Sequence, residues 1–323
     1  MKKILITGIT GQDGLFLTSK ILKSEKKVEI IGISRNKYLD NFYEKLKSIQ
    51  TNNLENIRIK NLNLEDTVSV QHFLENENPS EIYNLTGPSS VNKSLEKNNK
   101  SYETILKIFE NIVSGFIKTK KFPNIFQASS SEMYSPNLEK SLTEESLMSP
   151  NSPYAKAKYE IHSKIKYLNE EHDWNIISGI MFNHESEFRN RDYLMPKIID
   201  YSKNIDDTTK TKLKIGSLDY VRDWSYAEDM MDAAHTLMIN EANGPYVIGS
   251  GEGNNIQKMV DIIFRYQDLD WKEFVEVDST LLRKGDPLKR VSDPKKIYSL
   301  YNWKTKLGFE DLVIKCLEHR FLN

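Results

Sequence analysis

The strongest constraint on how this chain can fold lies in its first 34 residues. Lys3 to Thr7 is a short apolar run (Ile4, Leu5, Ile6). It is followed by Gly8, Gly11 and Gly14 in a G-x-x-G-x-x-G pattern, and then by Leu15, Phe16, Leu17, Ile21 and Leu22 at helical spacing. A second apolar run, Val28 to Ser34, comes next. Strand, glycine turn, helix and strand within about thirty residues make one β-α-β unit. Glycines at the turn let the chain double back tightly, and let backbone N–H groups at the helix N-terminus approach a pyrophosphate. The same pattern also suits a tight turn that binds nothing.

The alternation continues. Strands are expected at Ile57 to Asn61, Glu81 to Leu85, Asn124 to Ala128 and Asn175 to Ile180, with helical stretches at Val68 to Glu75, Tyr102 to Lys118 and Tyr154 to Leu168 between them. Strands separated by helices predict an α/β fold, a Rossmann-type doubly wound parallel sheet. Beyond Phe182 the pattern loosens: a polar segment, a helix near Ile198, a strand near Lys214, a helix from Glu228 to Ile239, a strand at Pro245 to Ile248 and a C-terminal helix. This predicts a dinucleotide-binding domain over 1–182, with 223–250 returning to it. A smaller mixed α/β substrate domain would be built from 183–222 and 251–323 and close over the carboxyl ends of the strands.

Composition excludes more than it selects. With 45 basic against 46 acidic residues, no global charge argues for a nucleic-acid or membrane-surface partner. No stretch approaches membrane-spanning length, and the run after Met1-Lys2-Lys3 is too short for a signal peptide, so a cytoplasmic protein is expected. A single cysteine, Cys316, cannot form an internal disulfide and reads as packing. Six scattered histidines without ligand spacing predict no metal, and the absence of a G-x-S-x-G elbow argues against a serine hydrolase.

Several side chains carry chemistry. After the second strand the chain reads Ser34-Arg35-Asn36, with no carboxylate for the adenosine ribose. Arg35 can instead pair with a 2′-phosphate, which favours NADP and leaves NAD possible; otherwise it is a solvated surface charge. Tyr154 and Lys158, four apart on one helix face after Ser152-Pro153, form a pair in which an ammonium can stabilise a phenolate. They follow the glycine motif by about 140 residues. Gln127-Ala128-Ser129-Ser130-Ser131-Glu132 ends a predicted strand, so Ser130 and Glu132 would point into the crevice. A carboxylate there has no work in simple hydride transfer, but it can remove a proton from the carbon beside a new ketone. The alternative is a solvated loop glutamate.

Taken together, these residues resemble the extended short-chain dehydrogenase/reductase family, and within it the GDP-mannose 4,6-dehydratases. The resemblance rests on ITGITGQDG (Ile6 to Gly14), IYNL (Ile82 to Leu85), QASSSEMY (Gln127 to Tyr134), SPYAKAK (Ser152 to Lys158), GIMFNHES (Gly179 to Ser186) and RDW (Arg222 to Trp224). It implies that Ser130 stands where the family has Thr, that Glu132 is the family's catalytic Glu, and that Tyr154 and Lys158 are its Tyr-Lys pair. The implied reaction is an internal redox cycle. Tyr154 takes the C4 hydroxyl proton as hydride leaves for NADP⁺. Glu132 removes the C5 proton and protonates the departing C6 hydroxyl. The hydride then returns to C6 and a proton returns to C5 from Tyr154, giving a 4-keto-6-deoxy sugar nucleotide and water. Gly8, Thr10, Gly11, Gln12, Asp13, Gly14, Arg35, Asn63, Leu64 and Leu85 would join Tyr154 and Lys158 around the cofactor. Ser89, Asn183, Arg222, Arg283 and Asp286 would meet the nucleotide sugar, GDP-linked by resemblance, and a homodimer or homotetramer is implied.

Several positions depart from the family pattern. Asn36 replaces a second arginine, Val221 replaces a lysine before RDW, and Thr86-Gly87-Pro88-Ser89-Ser90 lacks a usual histidine. Glu187-Phe188-Arg189-Asn190-Arg191 replaces an arginine-rich loop that helps to build the family's tetramer. A 4-epimerase or 4-keto-sugar reductase on the same scaffold, and a non-catalytic NADP-binding protein, remain as alternatives.

Overall fold

The computed structural model describes residues 1–35, 39–88, 94–96, 100–138, 140–206, 208–283 and 285–322. Asn36 and Ser89, singled out above, lie outside them.

A seven-stranded sheet forms the centre. Its strands are β1 (Lys2–Thr7), β2 (Val28–Ser34), β3 (Ile57–Asn61), β4 (Glu81–Asn84), β5 (Asn124–Ser130), β6 (Ile176–Met181) and, much later, Gly244–Ile248. The order across the sheet is Gly244–Ile248, β6, β5, β4, β1, β2, β3, and every neighbouring pair is parallel. That is the Rossmann-type doubly wound sheet expected from the alternation. Parallel strands covered on both faces must be apolar on both faces, and β1 shows how one run serves two layers. Ile4 and Ile6 point into a cluster with Phe16, Leu17 and Ile21 of α1 (Gln12–Ser24), whereas Leu5 points into another with Val70 of α3 (Thr67–Glu77), Phe109 of α4 (Ser101–Thr119) and Ile161 of α5 (Pro153–His172).

Local chemistry places the helix starts. Asp66 accepts from Val68 N and Ser69 N to cap α3, and Ser152 accepts from Ala155 N at 3.1 Å, with Pro153 at the first position of α5. The expected strand 81–85 ends one residue early at Asn84, and the strand from Asn124 runs on to Ser130. A helix the periodicity does not announce, α2 (Asp40–Ile49), buries only Phe42 and Leu46, too sparse an apolar stripe to read in advance.

The remaining chain builds short strands: β7 (Asn183–Glu185), β8 (Leu213–Ile215), β9 (Val221–Tyr226), β10 (the Gly244–Ile248 strand above), β11 (Gly253–Asn255), β12 (Val275–Val277) and β13 (Lys289–Arg290). Strand β9 is central to a four-stranded sheet, flanked by β11 antiparallel and β13 parallel, with β7 also parallel to it; β8 pairs separately with β12. Helices α6 (Leu194–Lys203), α7 (Ala227–Ile239), α8 (Ile256–Arg265), α9 (Trp271–Phe274), α10 (Lys295–Tyr301) and α11 (Phe309–Leu322) complete the chain. Helix α7 packs on α1, and Trp224, Phe264 and Leu312 continue the same apolar cluster as Ile4 and Phe16. Among the described residues no helix is long and apolar enough to cross a membrane.

Candidate active site

The glycine turn has the shape its sequence requires. Gly8 adopts φ +73°, which a side chain would strain. A Cβ on Gly14 would lie 2.5 Å from Gly8 O and from Ile9 Cα, so the helix can approach the turn this closely only with glycine there. The α1 N-cap is Gly11, which has no side-chain cap, leaving the first amides of the helix available to an anion. These features fit a dinucleotide pyrophosphate. Thr10 and Ser34 share a hydrogen bond of 3.2 Å beside the turn. Arg35, exposed, accepts at its carbonyl from Asn61 Nδ2. Asn63 caps its own turn by accepting from Glu65 N, buried Leu64 accepts at its carbonyl from Asn111 Nδ2, and Leu85 is half-buried past the end of β4.

Gln12 and Asp13 point elsewhere than the cofactor set suggests. Gln12 Nε2 donates to His184 O at 3.3 Å, and its Oε1 accepts from Ser186 Oγ at 2.8 Å. Asp13 lies 3.2 Å from His184 Nε2, while His184 Nδ1 meets Phe182 O at 2.8 Å. A carboxylate and a carbonyl only accept, so both ring nitrogens must carry protons. Burial works against that charge, but Asp13 outweighs it and raises the His184 pKa. In turn, His184 and Arg189 overcome burial and hold Asp13 below its ordinary value. The two most distinctive sequence motifs, GQDG and FNHES, are thus bound to each other. What Gln12 and Asp13 offer the turn is backbone N–H; their side chains fasten β7 beside it.

At the carboxyl end of β5 the chain makes one 3-10 turn, Ser131–Met133, and Ser130 Oγ accepts from Glu132 N at 3.2 Å. The Tyr154 hydroxyl lies near enough to Ser130 and Glu132 for both to act on its ionisation. Burial pushes the Tyr154 phenol up to about 12; the bond from Ser130 lowers it and the charge of Glu132 raises it. Lys158 sits with its Nζ 5.8 Å from the Tyr154 ring centroid and donates to Ala128 O at 2.6 Å. Burial brings its pKa down to about 8, with Asp13 opposing. Tyr154 and Lys158 thus share one face of α5, and burial disfavours the charged form of each.

Glu132 meets a cluster of arginines. Burial would raise its pKa, but Arg290, Arg283 and Arg222 together hold it below the usual carboxylate range. Arg290 Nη1 lies 2.6 Å from Glu132 Oε1. Arg222 and Arg283 both engage Asp286, at 2.9 and 2.7 Å. The structure therefore gathers Arg222, Arg283 and Asp286 beside Glu132. Asn183 is half-buried on β7 opposite Trp224 of β9. Ser89 lies outside the described residues.

Three contributors escaped sequence reasoning. Arg290, in DPLKRVSD, has no local signal; only the β13–β9 register, which sets it opposite Arg222, brings it here. Asp223, wholly buried, accepts from Ser250 N, Ser250 Oγ, Gly251 N, Ser292 N and Ser292 Oγ, and so ties β9 to the ends of β10 and β13. Arg189, from the segment that departs from the family's arginine-rich loop, is turned inward over the Tyr193 ring at 3.6 Å, and both residues act electrostatically on Tyr154. Among the described residues no group of His, Cys, Asp and Glu is arranged to hold a metal ion.

Comparison with known proteins agrees with this geometry. By fold, the chain is similar to a dTDP-glucose 4,6-dehydratase from Streptomyces venezuelae solved with NAD (TM-score 0.86, 18% identity, 99% of this chain and 97% of that one). A UDP-glucose 4-epimerase from Bifidobacterium longum is equally similar (TM-score 0.86, 16% identity, 100% and 99%). By sequence it is 31% identical over 321 residues to GDP-mannose 4,6 dehydratase 2 of Arabidopsis thaliana, covering 97% of this chain and 85% of that protein. The family model for GDP-mannose 4,6 dehydratase spans residues 5–316. Of the two activities that share this fold, sequence likeness runs to the dehydratases, and the chain belongs to the GDP-mannose 4,6-dehydratase family.

Proposed function

We propose that this protein is a nucleotide-sugar 4,6-dehydratase that converts GDP-mannose, or a related GDP-sugar, to the GDP-4-keto-6-deoxy sugar and water. The observation that carries the reading is Glu132: a largely buried carboxylate, paired with Arg290 and held charged by arginines, two residues past Ser130 and close enough to Tyr154 to act on its ionisation. Epimerisation or keto reduction at C4 leaves such a group without work, whereas loss of water from C5 and C6 needs it.

The cradle of Gly8, Gly11 and Gly14 would hold a nicotinamide dinucleotide, which supplies a hydride acceptor and a positive charge when bound. Tyr154 Oη would take the C4 hydroxyl proton, Ser130 orienting that hydroxyl, once Lys158 and the added charge bring the phenol down from about 12. Glu132 would then take the proton from C5, which the C4 ketone acidifies. The C5–H electron pair becomes the C5–C6 double bond, the C6–O bond breaks, and the proton moves from Glu132 to the departing hydroxyl, so water leaves; Tyr154 would then give its proton to C5 as C6 regains the hydride, which yields the 4-keto-6-deoxy sugar. Arg222 and Arg283 would bind the diphosphate or ribose by releasing Asp286, whose carboxylate is then free for ribose hydroxyls. Asn183 would bond the diphosphate.

Within this reading the cofactor is NADP, because the exposed Arg35 guanidinium follows β2 where no carboxylate stands. The expected NADP-binding unit, 1–182 with 223–250, would yield 223–226 to the nucleotide-sugar unit of 183–222 and 251–323, because β9 (Val221–Tyr226) lies in the small sheet. A cytoplasmic homodimer or homotetramer completes the proposal. The test is to incubate the protein with GDP-mannose and catalytic NADP⁺. A 4-keto product with no net change in NADPH is expected; an epimerised sugar without ketone would reject the reading. Glu132→Gln should permit C4 oxidation, seen as NADPH absorbance, while blocking water loss.

A further inference from the structure

Glu132 has two demands upon it in the reaction proposed above. To take the C5 proton it must be charged, and to protonate the C6 hydroxyl it must give that proton up readily. Both follow if an opposite charge is fixed against one carboxylate oxygen. Arg290 is built for that. Its residue is only 3% exposed, and Nη1 lies 2.6 Å from Glu132 Oε1. Nη1 has no directed hydrogen bond among the described residues, so its contact with Glu132 is a close ion pair.

The backbone around Arg290 is pinned on several sides. Strand β13 pairs in parallel with β9, placing Arg290 opposite Arg222. One residue later, Val291 O accepts from Leu142 N at 2.8 Å, and Ser292 is bonded by the buried Asp223 carboxylate. Nearby charges divide the work. Arg222 from β9 and Arg283 from the loop before β13 are engaged by Asp286, which leaves Arg290 to Glu132. Tyr154 of α5 lies close enough for the charge of Glu132 to raise its pKa.

We propose that Arg290 is a positioning residue for the dehydration step: it fixes Glu132 Oε1 and keeps the carboxylate charged, so that Glu132 accepts the C5 proton and passes it at once to the departing C6 hydroxyl. The inference rests on the dehydratase reading. Without Arg290, Glu132 in the same pocket holds its proton too tightly, and the step requires higher pH.

Two measurements test it. In the protein alone, the Glu132 carboxyl is titrated by carbon NMR, assigned by its absence in Glu132→Gln; in Arg290→Met its midpoint should rise by about one pH unit or more. With GDP-mannose, the acid limb of kcat should move upward by a similar interval in Arg290→Met, and back toward wild type in Arg290→Lys. If Arg290→Met does not fold, Arg290→Gln makes the same comparison. A purely structural arginine would lower stability and leave both midpoints where they are, and that result overturns the proposal. An unmoved limb with active wild type and inactive Glu132→Gln rejects Arg290 alone. Wild type that forms no 4-keto sugar rejects the dehydratase reading, whatever the titration shows.

Discussion

The seven-stranded sheet and the small sheet around β9 are held by different interactions. In the large sheet, the strands inside the edge strand β3 are mostly buried on both faces, and stability comes from apolar side chains such as Ile4, Leu5, Ile31 and Phe126. In the small sheet, β9 buries Trp224 and Tyr226, but its neighbours β7, β11 and β13 have only two or three residues each and offer little apolar surface to set their register. Buried polar groups set it instead: Asp223 on Ser250, Gly251 and Ser292, and Asp286 between Arg222 and Arg283. Non-directional packing tolerates exchange among apolar residues, whereas a directional, charged anchor does not. The active-site group lies where the two sheets meet, Ser130 and Glu132 at the end of β5 against Arg290 of β13.

The largest expected effect is at that junction. Tyr154→Phe should lower kcat by about 10²–10⁴ and leave the denaturation midpoint close to wild type, because the ring still fills its site. Retained activity would show that the junction is not where the chemistry happens. Within the small sheet, Asp223→Ala should cost about 3 kcal/mol in chemical denaturation by orphaning several buried donors, and Asp223→Asn less. A loss no larger than that of an apolar truncation in the large sheet would erase the contrast between the two regions.

His235 sharpens the comparison from the other side, as a polar group within the apolar packing of α7. It contacts Ser24 Oγ at 2.9 Å, and burial brings its pKa down from 6.5 to about 4. Between those values the unfolded chain binds a proton that the folded chain refuses. Stability is therefore intact above pH 6.5 and lost as pH falls toward 4, by about 2–3 kcal/mol. His235→Gln should flatten that part of the stability profile; an unchanged slope would reject the assignment. The smallest effect is just past the end of β2, where Arg35→Ala should weaken NADP binding about tenfold relative to NAD, roughly 1.4 kcal/mol. Equal loss for both cofactors would remove the argument for NADP.

The same contrast explains what could be read in advance. The order of the large sheet is written locally, because a parallel strand and its crossover helix each impose their own period on nearby residues. Tyr154 and Lys158 were legible from their spacing, and Glu132 from its place after a strand. The small sheet was not legible: β9, β11 and β13 are short, polar and brought together over tens of residues, so no window contains the pattern that pairs them. Arg290 looks like any arginine in a charged segment until the β9 register is known. Gln12 and Asp13 were recognised as distinctive, but their partners, His184 and Ser186, are more than 170 residues away. The spacing of Tyr154 and Lys158 was legible too, but not that burial disfavours the charged form of both.

The central claim is that the hydride removed at C4 is returned to the same sugar and that the net reaction is dehydration. It is tested most directly with GDP-mannose carrying deuterium at C4, the protein and catalytic NADP⁺. The account predicts a 4-keto-6-deoxy product with that deuterium at C6 and solvent hydrogen at C5. Deuterium accumulating in the free cofactor, or remaining at C4 of an epimerised sugar, would contradict it.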